Sequence, residues 1–344
     1  MPVTEVLHMA ESDPRATILM VTRDDSESVG AAVSSLLAQD VACRIRIVDD
    51  GSEDDTWDQI GRAIKRAGSH RHDLKTFRSA ESMGPGRLVR EIESVDTPWV
   101  IFARPEDRSR PERTGRLLHV IESTEAAVVA SSRNRIGGSV VEHGTAGSRQ
   151  GSGMLDATDI AFHLGWTPTN LGTLAIRTDV IRSFPRLDGP RISEDLGPLL
   201  GFRGSLLGGC YFLDEVLVDF RESRCGVVLD VRSRETCREG LFANLIASRT
   251  GMLQDLRDLR RDHGGHDGGE DLVHLEASLK GVLIELVERW TQAREELWLR
   301  EMRPCWVTRR ELRESNQRSD RMRLRPRSWY RRIRQALRSS RSAA

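Results

Sequence analysis

Three short stretches of this sequence carry side chains whose types and spacing could do chemistry. In IVDDGSEDDT, Asp49 and Asp50 end an apolar run and Gly51-Ser52 turns the chain. Short acids at the end of a parallel strand can accept hydrogen bonds from a nucleobase N–H or a ribose hydroxyl. The same stretch also reads as a helix N-cap, with Ser52 or Asp54 capping a helix that starts near Thr56. In FARPEDRSRPERT, Arg104, Glu106 and Asp107 follow a second apolar run, TPWVIFA. Carboxylates suit hard cations, and a guanidinium can bind phosphate directly. By itself this stretch reads as a solvated charged turn. In PRISEDLGPLLGFRG, Glu194 and Asp195 open a helix. The helix dipole favours acids there, and Ser193 or Asp195 reads as the N-cap.

These residues need elements to hold them, and the first half of the chain alternates strand and helix patterns. RATILMV, ACRIRIVDD, DLKTFRS, TPWVIFA and EAAVVASS read as strands. SESVGAAVSSLLAQ, TWDQIGRAIKRAG, GRLVREIESV and RTGRLLHVIES carry helical spacing between them. Such alternation predicts an α/β fold, a mainly parallel sheet with helices on both faces. Residues 133–168 are rich in Gly and Ser and read as pocket-shaping loops with a short strand pair. LGTLAIRTDVIRSF reads as a strand running into a helix, and GCYFLDEVLVDF as a second strand pair. Two long helices follow, from Val231 and from Asp271, with the Gly-rich linker HGGHDGGED between them.

Composition sets the limits. The 344 residues carry 52 basic and 52 acidic side chains, so the chain as a whole shows no nucleic-acid signature. From Arg303 onward, however, there are fourteen arginines against three acids. The five cysteines are scattered with no CxxC pair, which argues against a zinc knuckle and for a reduced, cytoplasmic setting. The N-terminus has acids where a signal peptide has basic residues, and no apolar run is long enough to span a membrane.

Taken in order, the three stretches resemble the motifs of the family 2 glycosyltransferases, which have the GT-A fold. Ser35 to Gln39 matches the family's Ser-x-x-x-Gln helix element, and Asp49-Asp50-Gly51-Ser52 its strand end. Thr22-Arg23-Asp24 stands where the family has Thr-Tyr-Asn. The resemblance implies that these residues bind a nucleotide-sugar donor. Asp50 would contact the base with Asp49 in support, and Arg23 would stack where a tyrosine usually does. Pro111-Glu112-Arg113 fixes the register of the Asp-x-Asp-Asp stretch, so Arg104 replaces the first acid and Glu106 and Asp107 keep the next two. In the family these acids hold Mg²⁺ or Mn²⁺ on the donor diphosphate; here Glu106 and Asp107 are the remaining metal candidates, and Arg104 would repel the ion. Phe220-Arg221 fits a further family element, but Ser223 occupies the position of the family's His. Arg221 would add positive charge near the diphosphate. The family uses the Asp of a Glu-Asp pair as general base in an inverting transfer, which implies that role for Asp195 with Glu194 as its neighbour. Gly84 fits the element between the first two motifs, and Arg87 or Arg90 stands in for the Arg of the family's Ala-Arg-Asn.

The resemblance covers about two-thirds of the chain, Ala16 to Val228. It divides the chain into a catalytic domain over 1–230, a helical extension over 231–302 and a basic tail over 303–344. The acceptor class it implies is a glycan, lipid-linked or small-molecule hydroxyl. The helical extension packs on the catalytic domain or forms a homo-oligomer. In the tail, Trp329, Ile333 and Leu337 recur among arginines, so 321–341 reads as an anchor for an anionic membrane surface, or as a disordered or RNA-adhesive basic tail. His263 and His266 read as linker residues. The altered motifs leave a second reading open: a GT-A chain that has lost catalysis and serves as a binding or scaffolding subunit.

Overall fold

The computed structural model describes residues 15–135, 151–162, 169–187, 195–220, 231–262 and 269–302. Glu194, Arg221, Ser223, His263, His266 and the tail lie outside the described residues. The first strands are β1 (Ala16–Thr22), β2 (Arg44–Asp49), β3 (Asp73–Arg78) and β4 (Trp99–Ala103). The helices α1 (Val29–Leu37), α2 (Thr56–Ala67) and α3 (Pro85–Glu93) connect them, and the strands lie parallel in the order β3-β2-β1-β4. Parallel pairing puts the C-terminal ends of all four strands on one edge of the sheet. Ligands bind along that edge in open α/β sheets.

Next come β5 (Asp107–Ser109), α4 (Arg113–Thr124), β6 (Val128–Arg135), β7 (Gly153–Leu155) and α5 (Ala157–Phe162). A 3-10 turn (Leu171–Thr173) leads into β8 (Leu174–Arg177) and α6 (Thr178–Arg182), followed by α7 (Gly197–Leu207) and β9 (Cys210–Phe220). The sheet continues β4-β8-β6-β9-β5, with β7 also paired to β9. Only β5, β7 and β8 run against the other strands, so the nine-stranded sheet is mainly parallel.

Two expectations need correction. GCYFLDEVLVDF is one strand, β9, not a pair. Its pairing with β6 jumps from Ser131↔Leu213 to Ser132↔Val216, so Asp214 and Glu215 are absorbed in a bulge. Ser132 donates to Asp214 at 2.9 Å and Arg116 pairs with Glu215, which satisfies the two acids that looked like a turn. Within the segment read as loops with a strand pair, the described residues hold the end of β6, the short β7 and the helix α5, and β7 pairs with β9.

The apolar strands look continuous in sequence because both faces of the sheet are covered. Ile18, Met20, Ile45, Ile47 and Ile101 point to one side, where α1, α2 and α4 pack. Leu19, Val100, Phe102 and Val128 alternate to the other side, against α3, α5, α6 and α7. That second core takes in α8 (Val231–Asp262) through Met252, Leu253 and Leu256. It also takes in Leu279 of α9 (Gly269–Met302). The chain divides into two units, Met1–Val287 and Glu288–Ala344. The described part of the second is residues 288–302, all helical. Among the described residues, no helix is long and apolar enough to cross a membrane.

Candidate active site

The loops after β1, β2 and β3 form one corner. Gly51 is at φ +73, and a Cβ there would sit 2.9 Å from backbone atoms of Glu81 and Ser82. Glycine is therefore required where the β2 loop meets the β3 loop. Asp49 is buried; it accepts from the Ser52 amide at 3.0 Å and faces Arg78 Nε at 3.3 Å. Its work is to hold the turn. Asp24 does the same across loops: its amide donates to Ser52 Oγ at 3.0 Å and its carboxylate accepts from the Glu53 amide at 2.8 Å. Thr22 Oγ1 donates to Asp25 Oδ2 at 2.7 Å. Burial raises the Asp25 carboxyl above its ordinary range, against the pull of the Thr22 and Arg23 hydrogen bonds.

Asp50 is also buried. It accepts from Ser82 Oγ at 2.7 Å, from the Met83 amide at 3.0 Å and from the Gly84 amide at 3.0 Å. Arg23 Nη1 donates to the same Ser82 Oγ at 3.0 Å. Asp50 and Arg23 therefore converge, and the Ser82-Met83 turn stands between them. Nothing in the sequence pattern singled out Ser82. Arg87, considered as a stand-in for a family arginine, is instead paired with Glu91 at 2.9 Å, while Arg90 Nη1 approaches Met83 Sδ at 3.7 Å. The N-cap of α2 is Asp55 rather than Ser52 or Asp54; Asp54, one residue earlier, accepts from the Thr56 amide at 2.9 Å and the Ser26 amide at 3.1 Å. Burial raises its carboxyl, yet the hydrogen bonds from Thr56 and Ser26 together outweigh that and bring it down to about 2.

The second corner lies at the end of β4. Arg104 pairs with Glu106 and keeps about a third of its side chain exposed. Burial pulls its pKa down, but the charges of Glu106, Asp107, Asp195 and Asp25 outweigh that and raise it. One guanidinium thus feels four carboxylates from three parts of the chain. Asp107 is buried, and its Oδ2 has no hydrogen-bond partner. Burial, and then the charge of Glu106, push its carboxyl up to about 7 although Arg104, Arg133 and Arg113 pull the other way. Gly172 makes the packing possible: a Cβ there would lie 2.3 Å from Asp107 Oδ2 and 3.2 Å from Arg104 Cδ. Rather than an open turn, Asp107–Ser109 is the edge strand β5, antiparallel to β9. The Pro-Glu-Arg arginine, Arg113, is fully buried and gives Nη2 to the carbonyls of Phe102 at 2.7 Å and Gly172 at 2.8 Å. It ties the β4 end to the 3-10 turn.

The third stretch joins this corner. Asp195 Oδ1 accepts from the Gly197 amide at 2.9 Å and from the Leu171 amide at 3.4 Å. The N-cap of α7 is Leu196, so Asp195 stands one residue before the cap, and the Leu171 bond places it beside the turn that carries Gly172. Helix α7 gets this close because Gly197, Gly201 and Gly204 line one face. A Cβ on Gly197 would meet Thr169 O at 2.2 Å, and one on Gly204 would meet Val128 Cγ2 at 2.1 Å. Three further residues went unnoticed in the sequence: Asp25, Arg133 and Arg249. Arg133 lies over the Phe220 ring at 4.1 Å and faces Asp107; Arg249 faces Asp195 from α8.

The donor set that a divalent ion would meet here is altered. The position of the first acid is a guanidinium, the second acid is ion-paired to it, and the third is raised toward neutrality. Among the described residues, no group of three His, Cys, Asp or Glu side chains is placed to hold a metal.

The comparisons agree with this architecture. Residues 17–177 match the model of the glycosyl transferase family 2. Over those residues, just under half of the chain, the sequence is similar to the family 2 glycosyltransferases, and the sheet architecture is that of the GT-A fold. No curated protein matches the sequence. Among solved structures, S. aureus TarS 1-349 is similar at 15% identity and a TM-score of 0.53, over 80% of this chain and 71% of that one. The mannosyltransferase PcManGT from Pyrobaculum calidifontis, solved with GDP-Man and Mn²⁺, is similar at 13% identity and a TM-score of 0.53, over 93% and 84%. At such identities the likeness is one of fold.

Proposed function

We propose that this chain transfers a sugar from a nucleotide-diphosphate donor, a UDP-sugar first among them, to an acceptor hydroxyl with inversion. The observation that carries the reading is Arg104, set among Glu106, Asp107, Asp25 and Asp195 at the ligand-binding edge of the sheet. The nucleoside lies along Thr22, Arg23, Asp24, Asp49 and Asp50, with Asp50 and Arg23 on the base. The diphosphate exchanges with Glu106 for the Arg104 guanidinium, which binds phosphate with a fork of charged donors. Arg104 takes over the charge neutralisation that the family assigns to an ion; Arg221 adds to it. Asp195 accepts the acceptor's hydroxyl proton as the oxygen attacks the anomeric carbon. The bond from that carbon to the phosphate oxygen breaks, and the nucleoside diphosphate leaves with the electron pair. Glu194 is the neighbour of the base. Acceptors of the glycan, lipid-linked or small-molecule class fit, with 321–341 holding the chain at an anionic membrane surface for a lipid-linked one.

Calorimetry with UDP, with and without Mn²⁺, tests the arginine reading. Equal binding in both conditions is expected, with loss of binding in Arg104→Ala; binding that requires Mn²⁺ would overturn it. Asp195→Asn should abolish transfer and spare donor binding. The Arg104–Glu106 ion pair also favours a second reading, a scaffold that has lost catalysis. Failure of every nucleotide in a thermal-shift panel to bind, with or without Mn²⁺, would favour that scaffold.

A further inference from the structure

Arg203 of α7 and Asp255 of α8 form a bidentate pair at 2.7 and 2.9 Å, with side chains 1% and 0% exposed, so neither can meet a ligand. Arg23, in the corner of the β1, β2 and β3 loops, is the opposite case. Its side chain is half exposed, Nη1 donates to Ser82 Oγ at 3.0 Å, and Nε faces Asp24 Oδ2 at 3.4 Å. Among the described residues Nη2 has no partner, so this guanidinium is held on two sides with donors to spare. Ser82 couples it to Asp50. A carboxylate accepts, whereas a guanidinium and an amide donate. The Ser82 hydroxyl therefore gives its proton to Asp50 Oδ2 at 2.7 Å and accepts from Arg23 Nη1 and the Gly84 amide, both at 3.0 Å. Asp50 Oδ2 receives that hydroxyl together with the Met83 and Gly84 amides, whereas Oδ1 receives only a share of the Met83 amide, at 3.1 Å. Asp50 is 2% exposed, so a ligand meets it at one point and not along both oxygens. The corner thus offers one spare acceptor, Asp50 Oδ1, together with one spare donor group, Arg23 Nη2.

We propose that Ser82 is a specificity-determining residue: it sets this corner to read the edge of uracil and to reject guanine. This rests on the reading of the corner as the nucleoside site of the sugar donor. Uracil presents one donor, N3–H, between two carbonyl oxygens. The N3–H fits Asp50 Oδ1, and a neighbouring carbonyl fits Arg23. Thymine has the same edge and is read the same way. Guanine presents two adjacent donors, N1–H and the N2 amino group, and needs both oxygens of a carboxylate. Oδ2 is filled by Ser82, Met83 and Gly84, so one guanine donor is left without an acceptor in a desolvated place. Cytosine carries an acceptor at N3, which would face the carboxylate. A site built around one base edge rejects the analogue that leaves its polar groups unpaired.

The test is calorimetry with UDP, GDP and CDP on the full chain, with Mn²⁺ present throughout so that a metal requirement does not mask binding. The native chain should bind UDP about tenfold or more tightly than GDP or CDP, which is what one unmatched buried donor costs. In Ser82→Ala, Oδ2 regains an acceptor site and Arg23 loses its hold. The preference for UDP over GDP should then fall by about tenfold. Ser82→Thr keeps the hydroxyl and should keep the native preference. A residue that merely shaped the turn would weaken all three nucleotides alike and leave their ratios unchanged. Unchanged ratios in Ser82→Ala therefore overturn the proposal. Equal binding of UDP and GDP, or of UDP and CDP, by the native chain overturns it too, and that measurement needs no variant to fold. Tight binding without discrimination refutes the role of Ser82 alone. Binding of none of the three by the native chain refutes the donor-site reading, and the proposal with it.

Discussion

Replacing Asp107 by asparagine should stabilise the fold at pH 8 and leave it nearly unchanged below pH 4. Asp107 is buried at the centre of the charged corner, and its Oδ2 lacks a hydrogen-bond partner. Burial first, and then Glu106, raise its carboxyl from 3.8 to about 7 in the folded chain. The folded state therefore holds the proton more tightly than the unfolded state does. The stability this group contributes is fully present below the unfolded value, and it is lost as pH climbs through 7. A shift of about three units at about 1.4 kcal/mol each sets a ceiling of about 4 kcal/mol. Asparagine has nearly the same shape and cannot ionise, so it should flatten that slope. Urea unfolding followed by tryptophan fluorescence at pH 4, 6 and 8 measures it. The native chain should lose stability relative to Asp107→Asn across this range. Parallel curves, or a less stable variant at pH 8, would refute the reasoning. They would mean that Arg104, Arg113 and Arg133 outweigh burial and keep Asp107 ionised.

Two further outcomes follow from packing. Gly197→Ala places a methyl 2.2 Å from the Thr169 carbonyl and 2.5 Å from the Leu171 amide nitrogen, both backbone atoms; a loss of about 1–3 kcal/mol is expected in thermal unfolding, with Asp195 displaced. Asp255→Ala leaves Arg203 charged and buried and should cost about 3–5 kcal/mol, much of it recovered when Arg203→Met is added.

The strands and helices of the first half were legible because both faces of the sheet are covered, so strands show as apolar runs and helices as periodic ones between them. The strand-end acids were legible too, but their separate duties were not. Asp24 and Asp49 each give one carboxylate oxygen to a loop amide, of Glu53 and of Ser52, a holding duty that the sequence does not display. The bulge at Asp214 and Glu215 was hidden because a bulged strand and a turn present the same polar interruption. Arg133 and Arg249 were hidden for a different reason. An arginine's role depends on what lies opposite it in space, and Phe220 and Asp195 are far from them in sequence. Arg113, which the sequence offered only as a mark of register, is the buried tie that fixes the corner.

The Arg203–Asp255 pair bears on where this chain can be cut. A boundary after residue 230 looks natural from the family motifs, because it retains every one of them. Cutting there removes Asp255 together with Met252, Leu253 and Leu256 from the core they share with α7. The shortened polypeptide would keep the whole motif set and still expose a greasy seam with a stranded cation in it. A fragment of this chain should be trimmed to its salt bridge rather than to its motifs.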